Sequence, residues 1–111
     1  MTVLAVGDVC GEIGIRCIEE NLRAVRKEFG ADFCVVNGEN ADVMGIKPAQ
    51  AWRLYDAGAD IVSLGNHIWN RMQIMSELDE APFLVRPLNL GPYVPGRGVR
   101  VTELADGRRV R

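Results

Sequence analysis

The sequence predicts an α/β fold, a parallel sheet with helices on both faces. Two observations lead to this prediction. Short apolar runs recur along the chain, and the segments between them carry helical periodicity or the residues that commonly start a helix. Apolar runs of strand length suit strands that are buried on both faces, as they are in parallel sheets. The alternation of strand and helix then predicts crossover connections within one sheet.

The first strand is predicted over residues 2–6, an apolar run that ends at Gly7. A glycine-rich turn over residues 7–14 follows it. Apolar side chains then recur at steps of three and four, which predicts a helix with one apolar stripe: Ile15, Ile18, Leu22, Val25 and Phe29. Gly30 stands where a glycine commonly ends a helix.

Three further strands are predicted, over residues 32–36, 60–64 and 83–85. Pro48 suits the first turn of a second helix, which we expect to run to Gly58. Asn70 can cap a third helix, which Pro82 ends. The apolar side chains of these two helices are expected in the core: Trp52, Tyr55, Met72, Met75 and Leu78.

Residues 91–111 differ in sequence pattern from the rest of the chain. Residues 91–98 contain turn residues throughout and are predicted to form a loop. Residues 99–104 alternate like an exposed strand, and Asp106–Gly107 is typical of a hairpin turn. The chain stops at Arg111, and its length is at the low end for a self-sufficient core. We therefore expect residues 1–111 to form one truncated domain that ends in an incomplete hairpin.

Composition excludes several classes of function. The 111 residues are 48% hydrophobic and 25% charged with a net charge of −2, which is typical of a globular domain and argues against recognition of nucleic acid through a basic face. No apolar run is long enough to span a bilayer, and no secretory signal is visible, so we expect a cytoplasmic protein. The three cysteines lack metal-binding spacing and are expected to be free thiols, mostly packed inside.

Polar side chains follow each of the first three predicted strands at the point where the strand ends. They are Asp8, then Glu39 and Asn40, then Asn66 and His67. Ligand sites in parallel sheets lie at the carboxyl edge, where these side chains would converge. Two carboxylates that meet there repel each other unless a cation lies between them. Carboxylates, amides and imidazole are ligands for divalent metals, so the pattern predicts a metal site.

Each of these residues also has an ordinary interpretation. Asp8 can cap a turn or helix, Glu39 and Asn40 can lie in a solvated loop, and Asn66 tolerates left-handed turns. His67 can be a packed, hydrogen-bonded histidine. Because polar side chains of this kind follow three strands in succession, the pattern favours a metal site over these ordinary interpretations. Two other hypotheses stay open: a non-catalytic binding or assembly module, and a flavodoxin-like nucleotide-binding domain without metal, which the absence of a GxGxxG motif weakens.

Four segments, in their order and spacing, resemble those of a known enzyme group. They are residues 7–11, 37–41, 65–69 and 84–87, the last followed by Asn89. With them the chain is similar to the calcineurin-like metallophosphoesterase superfamily, and within it to the bacterial YmdB-type branch of 2′,3′-cyclic-nucleotide phosphodiesterases. This resemblance implies the N-terminal half of a four-layer α/β/β/α sandwich, acting on a small nucleotide phosphodiester.

The resemblance also implies a role for each strand-end residue. Two metal ions are implied, most typically iron, with manganese as the other candidate. Asp8 would bind the first ion with Asn40 close to it, Glu39 would bridge both ions, and Asn66 would bind the second. His67 would be the catalytic proton donor. Cys10 stands where the wider superfamily has a histidine, a departure that the YmdB-type branch shares.

Members of this branch are more than twice as long and carry further metal-binding histidines in their second half. The present chain has a single histidine, His67. The resemblance therefore implies that residues 1–111 are the N-terminal portion of such an enzyme, inactive alone, or that another chain completes the site. A half-sheet exposes apolar surface, so self-association is also expected.

Overall fold

The computed structural model describes residues 1–111 and contains a four-stranded parallel sheet in the order β1-β2-β3-β4. Its strands are β1 (Val3–Val6), β2 (Phe33–Asn37), β3 (Ile61–Ser63) and β4 (Leu84–Val85). Each strand pairs in parallel with the next along the chain, with Val3 opposite Phe33 and Val62 opposite Leu84. The predicted parallel sheet is confirmed, and all four strands fall within one residue of their expected places.

The helices are α1 (Gly11–Glu28), α2 (Pro48–Asp56) and α3 (Met75–Glu80), and two 3₁₀ turns span Asn66–Asn70 and Met72–Ile74. The glycine-rich turn predicted over residues 7–14 is shorter than expected, because α1 already begins at Gly11. The predicted end of α1 is confirmed: Gly30 is left-handed, with φ 57°, and its N–H donates to the carbonyl of Lys27.

The predicted third helix begins one residue later than expected, and its first turn is a 3₁₀ turn. Arg71 has an extended backbone, with φ −129° and ψ 92°, and this separates the two 3₁₀ turns. Only six residues, Met75–Glu80, are α-helical. Met72, in this 3₁₀ turn, is 63% exposed, whereas Ile74 and Leu78 are buried. Met72 therefore does not belong to the core as predicted.

The helices lie on one face of the sheet, which corrects the prediction of both faces. Because the strand order never reverses, right-handed crossovers carry every helix to the same side. α1 and α2 contact each other there. Arg53 of α2 joins them by donating to the carboxylates of Glu12 and Glu19 of α1 at 2.7–2.9 Å. The buried core of this face includes Ile15, Leu22, Cys34, Val36, Leu54 and Val62.

The second face of the sheet is covered by the C-terminal segment and not by a helix. Strands β5 (Thr102–Glu103) and β6 (Arg109–Val110) pair antiparallel, so the hairpin closes over two residues in each strand. Gly107 has φ 83° in the predicted turn. A cavity of about 330 Å³ remains between this segment and the sheet, with a mostly apolar lining that includes Phe33, Val35, Ile61, Val85, Val99 and Val110.

Two other predictions about burial need correction. Of the three cysteines only Cys34 is buried, while Cys10, just before α1, and Cys17, within it, are exposed. Trp52 and Tyr55 are 41% and 40% exposed, although Tyr55 stacks on the ring of buried Phe83 and Trp52 packs against it in a T-shaped arrangement. No helix has the length and apolar character that crossing a membrane requires.

Arg86 is the one buried charged residue, 8% exposed. Its guanidinium donates to backbone carbonyls of the following loop, those of Pro87, Leu90, Gly91, Val94, Pro95 and Gly96. All five N–H groups of an arginine are thereby used. Arg86 shapes the loop after β4 and has no donor left for a ligand.

Candidate functional site

Backbone hydrogen bonds bring the loops after the first three strands together at the carboxyl edge of the sheet. The N–H of Val9 donates to the carbonyl of Asn37 at 3.0 Å, and that of Gly38 donates to Ser63 at 3.0 Å. The N–H of Gly11 reaches the carbonyl of Asn40 at 3.1 Å. These bonds continue the sheet ladder into the loops, so the strand-end residues meet as the parallel topology requires.

Three of the predicted site residues form a chain of side-chain hydrogen bonds. The Asn40 amide Nδ2 donates to Asp8 Oδ1 at 2.8 Å, and Asn40 Oδ1 lies 2.6 Å from His67 Nδ1. A carboxylate only accepts, so the amide must turn its NH₂ toward Asp8 and its oxygen toward His67. His67 Nδ1 therefore carries the hydrogen, which leaves Nε2 free to face a ligand.

Glu39 is placed by close contact with Gly65. A Cβ at position 65 would lie 1.9 Å from Glu39 Oε2, so only a glycine leaves room for the carboxylate. The same oxygen lies 3.5 Å from the backbone nitrogen of His67. The N–H of Glu39 donates to Asn37 Oδ1 at 3.3 Å. The sequence predicted Gly65 only as a turn residue, because Glu39, the residue that it contacts, lies far from it in the chain.

Asn66 occupies the first position of the 3₁₀ turn and is exposed. Its side chain makes no hydrogen bond to the other four predicted residues. The structure thus joins Asp8, Glu39, Asn40 and His67 and leaves Asn66 beside them. Their roles as metal ligands and proton donor stay predictions.

Cys10 adds a thiol to the cluster, with Sγ 3.6 Å from Asp8 Oδ2. Desolvation, together with the negative charge and hydrogen bond of Asp8, raises the pKa of Cys10 above its ordinary value. The thiol is therefore protonated at neutral pH and donates to the carboxylate.

The cluster offers mainly oxygen ligands, from two carboxylates and two amides, with one imidazole. No three side chains of the types His, Cys, Asp or Glu lie close enough together to hold a metal ion. A cation held at this cluster would need the amide oxygens among its ligands. Such a set suits hard or borderline cations and leaves coordination positions for ligands from outside these residues.

Comparison with known proteins places the chain in a family. The model of the YmdB-like protein family matches residues 4–111. The 2′,3′-cyclic-nucleotide 2′-phosphodiesterase of Bacillus subtilis is 32% identical over 111 residues, which are 99% of this chain and 42% of that protein.

Two crystal structures share the fold. One, of a hypothetical protein from Thermus thermophilus, has a TM-score of 0.86 at 37% identity and covers 98% of this chain and 42% of its own. The other, described as a novel phosphatase from Mycoplasma pneumoniae, has a TM-score of 0.82 at 30% identity. This match covers 91% of the present chain and 38% of the Mycoplasma chain. The chain spans about two fifths of the length of these relatives.

Proposed function

Because this chain belongs to the YmdB-like protein family, we propose that it forms the N-terminal part of a metal-dependent phosphodiesterase that hydrolyses small nucleotide diesters such as 2′,3′-cyclic nucleotides. The name of the Bacillus subtilis relative supports the substrate class. The observation that carries the proposal is the hydrogen-bonded chain of Asp8, Asn40 and His67, with Glu39 beside it.

The residues at the sheet edge fit part of a metal centre. In our proposal Asp8 and Asn40 would hold a first ion, Asn66 would hold a second, and the Glu39 carboxylate would contribute to both. When bound, two ions such as iron or manganese supply the positive charge and the activated water that in-line attack on phosphorus needs. Further ligands come from outside these residues, since the chain gathers no three of its own acidic, thiol or imidazole groups.

His67 supplies the proton for the leaving group in this proposal. Its Nδ1–H donates to Asn40, and this bond fixes the ring so that Nε2 faces the substrate. In the doubly protonated ring, Nε2–H donates to the departing ribose oxygen, and the remaining Nδ1–H keeps its bond to Asn40. A positioned general acid is typically worth ~10²–10⁴-fold in rate.

A second candidate function rests on the same contacts. Asp8, Asn40 and His67 satisfy one another as hydrogen-bonded turns, and this arrangement requires no cation. A non-catalytic binding or assembly module would need nothing more. Metal content and turnover distinguish the two candidates.

The experiment compares two substrates in the whole protein that contains these residues. We expect His67→Ala to lower turnover of 2′,3′-cyclic AMP by ~10²–10⁴-fold while metal content is retained. With bis(p-nitrophenyl) phosphate the loss should be small, because nitrophenolate leaves without a proton. An equal loss of turnover on both substrates would show that His67 is not the general acid.

Glu39→Gln is the matched variant for metal binding. If Glu39 is shared by two ions, this substitution lowers metal content and turnover of both substrates together. A folded, metal-free and inactive wild-type protein would reject the enzyme and favour the binding module.

A further inference from the structure

The loop after Asn40 forms a tight turn beside the strand-end cluster. The N–H of Val43 donates to the carbonyl of Asn40 at 2.8 Å, and that of Asp42 donates to Gly45 at 2.9 Å. On one side, Val43 Cγ2 lies 3.9 Å from the place of a Cβ on Gly11. The tip of this loop therefore lies directly against the start of α1, next to the loop that carries Asp8.

The other side of the loop packs on the 3₁₀ turn that carries His67. A Cβ on Gly45 would lie 3.2 Å from the carbonyl oxygen of His67 and 3.0 Å from Arg71 Cγ. The tip of the loop, Val43 with Met44, is thus held between the segments that position Asp8 and His67.

Val43 adopts an unfavourable backbone conformation without any burial that would offset it. It is the only non-glycine residue with positive φ, at 68°. For a β-branched side chain this left-handed conformation is a genuine outlier. The side chain is nevertheless 74% exposed, and that of neighbouring Met44 is 46% exposed. Packing of Val43 itself therefore does not explain the conformation.

Side chains beneath the tip hold the loop in place. The Asp42 carboxylate accepts hydrogen bonds from Arg71, from Lys47 at 3.1 Å and from Gln50 at 3.1 Å. Gln50 also donates to the carbonyl of Ala41 at 3.2 Å, and Arg71 donates to that of Asp42 at 3.3 Å. Strained residues persist where the surroundings over-determine them, and such residues cluster at active sites and ligand clamps.

We propose that Val43, with Met44 beside it, forms a rigid apolar platform that contacts the ring face of the nucleobase of a nucleotide held at the strand-end cluster. This inference rests on the proposed function. A nucleotide pairs a polar phosphate with a flat, largely apolar base, and the protein sets an apolar tip beside a polar cluster in the same way. Neither side chain can read hydrogen bonds on a base edge, so purine and pyrimidine nucleotides should be affected alike.

Val43→Asn in the whole protein tests the platform. Asparagine is similar in size and tolerates left-handed backbone, so the variant keeps the loop and removes the apolar contact. We expect kcat/KM for 2′,3′-cyclic AMP and 2′,3′-cyclic CMP to fall about tenfold, chiefly through KM. Ribose 2′,3′-cyclic phosphate, which lacks a base, should be hydrolysed as before. Tm should rise, because the strain at position 43 is relieved.

Val101→Asn is the matched control. Val101 is 49% exposed in the C-terminal segment and has no positive φ, so we expect neither the kinetic change nor the rise in Tm. Met44→Gln should weaken the binding of the same base-bearing substrates, but to a smaller degree than Val43→Asn.

A binding measurement separates this inference from the proposed function. Calorimetric titration compares adenosine 3′-monophosphate with ribose 3-phosphate, and it needs no turnover. If the wild-type protein hydrolyses none of the diesters, the proposed function fails while the titration still decides the base contact. If Val43→Asn weakens the binding of both ligands equally, or of neither, Val43 does not contact the base and the inference is wrong. A lower Tm would also overturn it, since it would show that Val43 packs against the rest of the protein.

Discussion

Asn40 connects two side chains that lie about thirty positions away from it on either side. Because the Asp8 carboxylate can only accept, the Asn40 amide has one orientation, and that orientation determines which nitrogen of His67 carries the hydrogen. The Asn40 amide thus links the Asp8 carboxylate to the ring that we propose as the proton donor. Replacement of Asp8 or Asn40 would remove this control over the hydrogen on His67.

Gly65 gives the sharpest prediction at the residue scale. In Gly65→Ala the new Cβ would overlap the end of the flexible Glu39 side chain, which can move away at small cost. We expect the free energy of unfolding to change by less than about 1 kcal/mol. Metal affinity, measured by competition with a chelator, should fall about 10- to 100-fold if Glu39 holds the ions as we propose, because its carboxylate is displaced.

Gly91→Ala is the control for this substitution, since nothing lies within 4 Å of a Cβ at position 91. Retained metal affinity in Gly65→Ala would show that the Glu39 carboxylate does not hold the ions.

At the scale of elements, the site is assembled by loops that continue parallel strands. The loop after β2 carries Glu39 and Asn40, and the next turn of the same loop is fixed by Asp42. Arg71, which lies after β3, is the main partner of Asp42. One ion pair therefore links two of the three loops that form the site.

Acid pH should loosen this loop. The hydrogen bond from Arg71, assisted by Lys47 and Gln50, lowers the pKa of Asp42 to about 2. An unfolded aspartate titrates at about 3.9, so the stabilisation is complete above that pH and is lost as pH falls toward 2. The difference in free energy of unfolding between wild type and Asp42→Asn should therefore be constant above about pH 5 and shrink below about pH 4.

Urea titrations across this pH range measure the effect. Asp56→Asn, at the exposed C-terminal end of α2, serves as the control and should show no comparable change. A difference for Asp42→Asn that is the same at pH 3 and pH 7 would contradict the role of the carboxylate.

At the scale of the whole molecule, the two faces of the sheet are unequal. Helices bury one face, whereas a short hairpin covers the other and leaves an apolar cavity of about 330 Å³. That cavity lies on the face away from the helices and is lined by none of the strand-end site residues. This apolar cavity and the candidate site are thus separate features of the molecule.

Metal content tests how complete the site is. His67 is the only histidine, and no three acidic, thiol or imidazole side chains come together. We predict that residues 1–111, expressed alone and shown to be folded by circular dichroism, retain iron or manganese at well below one ion per chain. The longer protein of our proposal, purified in the same way, should retain both ions. Tight binding of two ions by residues 1–111 would show that their own ligands suffice.

Much of the architecture follows from local patterns. The apolar runs predicted the four strands, the periodicity predicted α1, and Pro48 marked the first residue of α2. These features are local, since apolar runs of strand length and the helical repeat of 3.6 residues appear directly in the sequence. The extended backbone at Arg71 and the 3₁₀ turn after it were missed, because the spacing of Met72, Met75 and Leu78 predicted a helix that begins directly after Asn70.

Neighbouring positions in the chain are enough to specify the parallel sheet and the set of polar residues at its carboxyl edge, because each depends on a short stretch of residues. Long-range packing, in contrast, places all the helices on one face, buries Arg86 and makes Gly65 the residue that leaves room for Glu39. It also sets the strained, exposed position of Val43. These features depend on contacts between residues far apart in the chain, and no local pattern encodes the three-dimensional packing that brings them together.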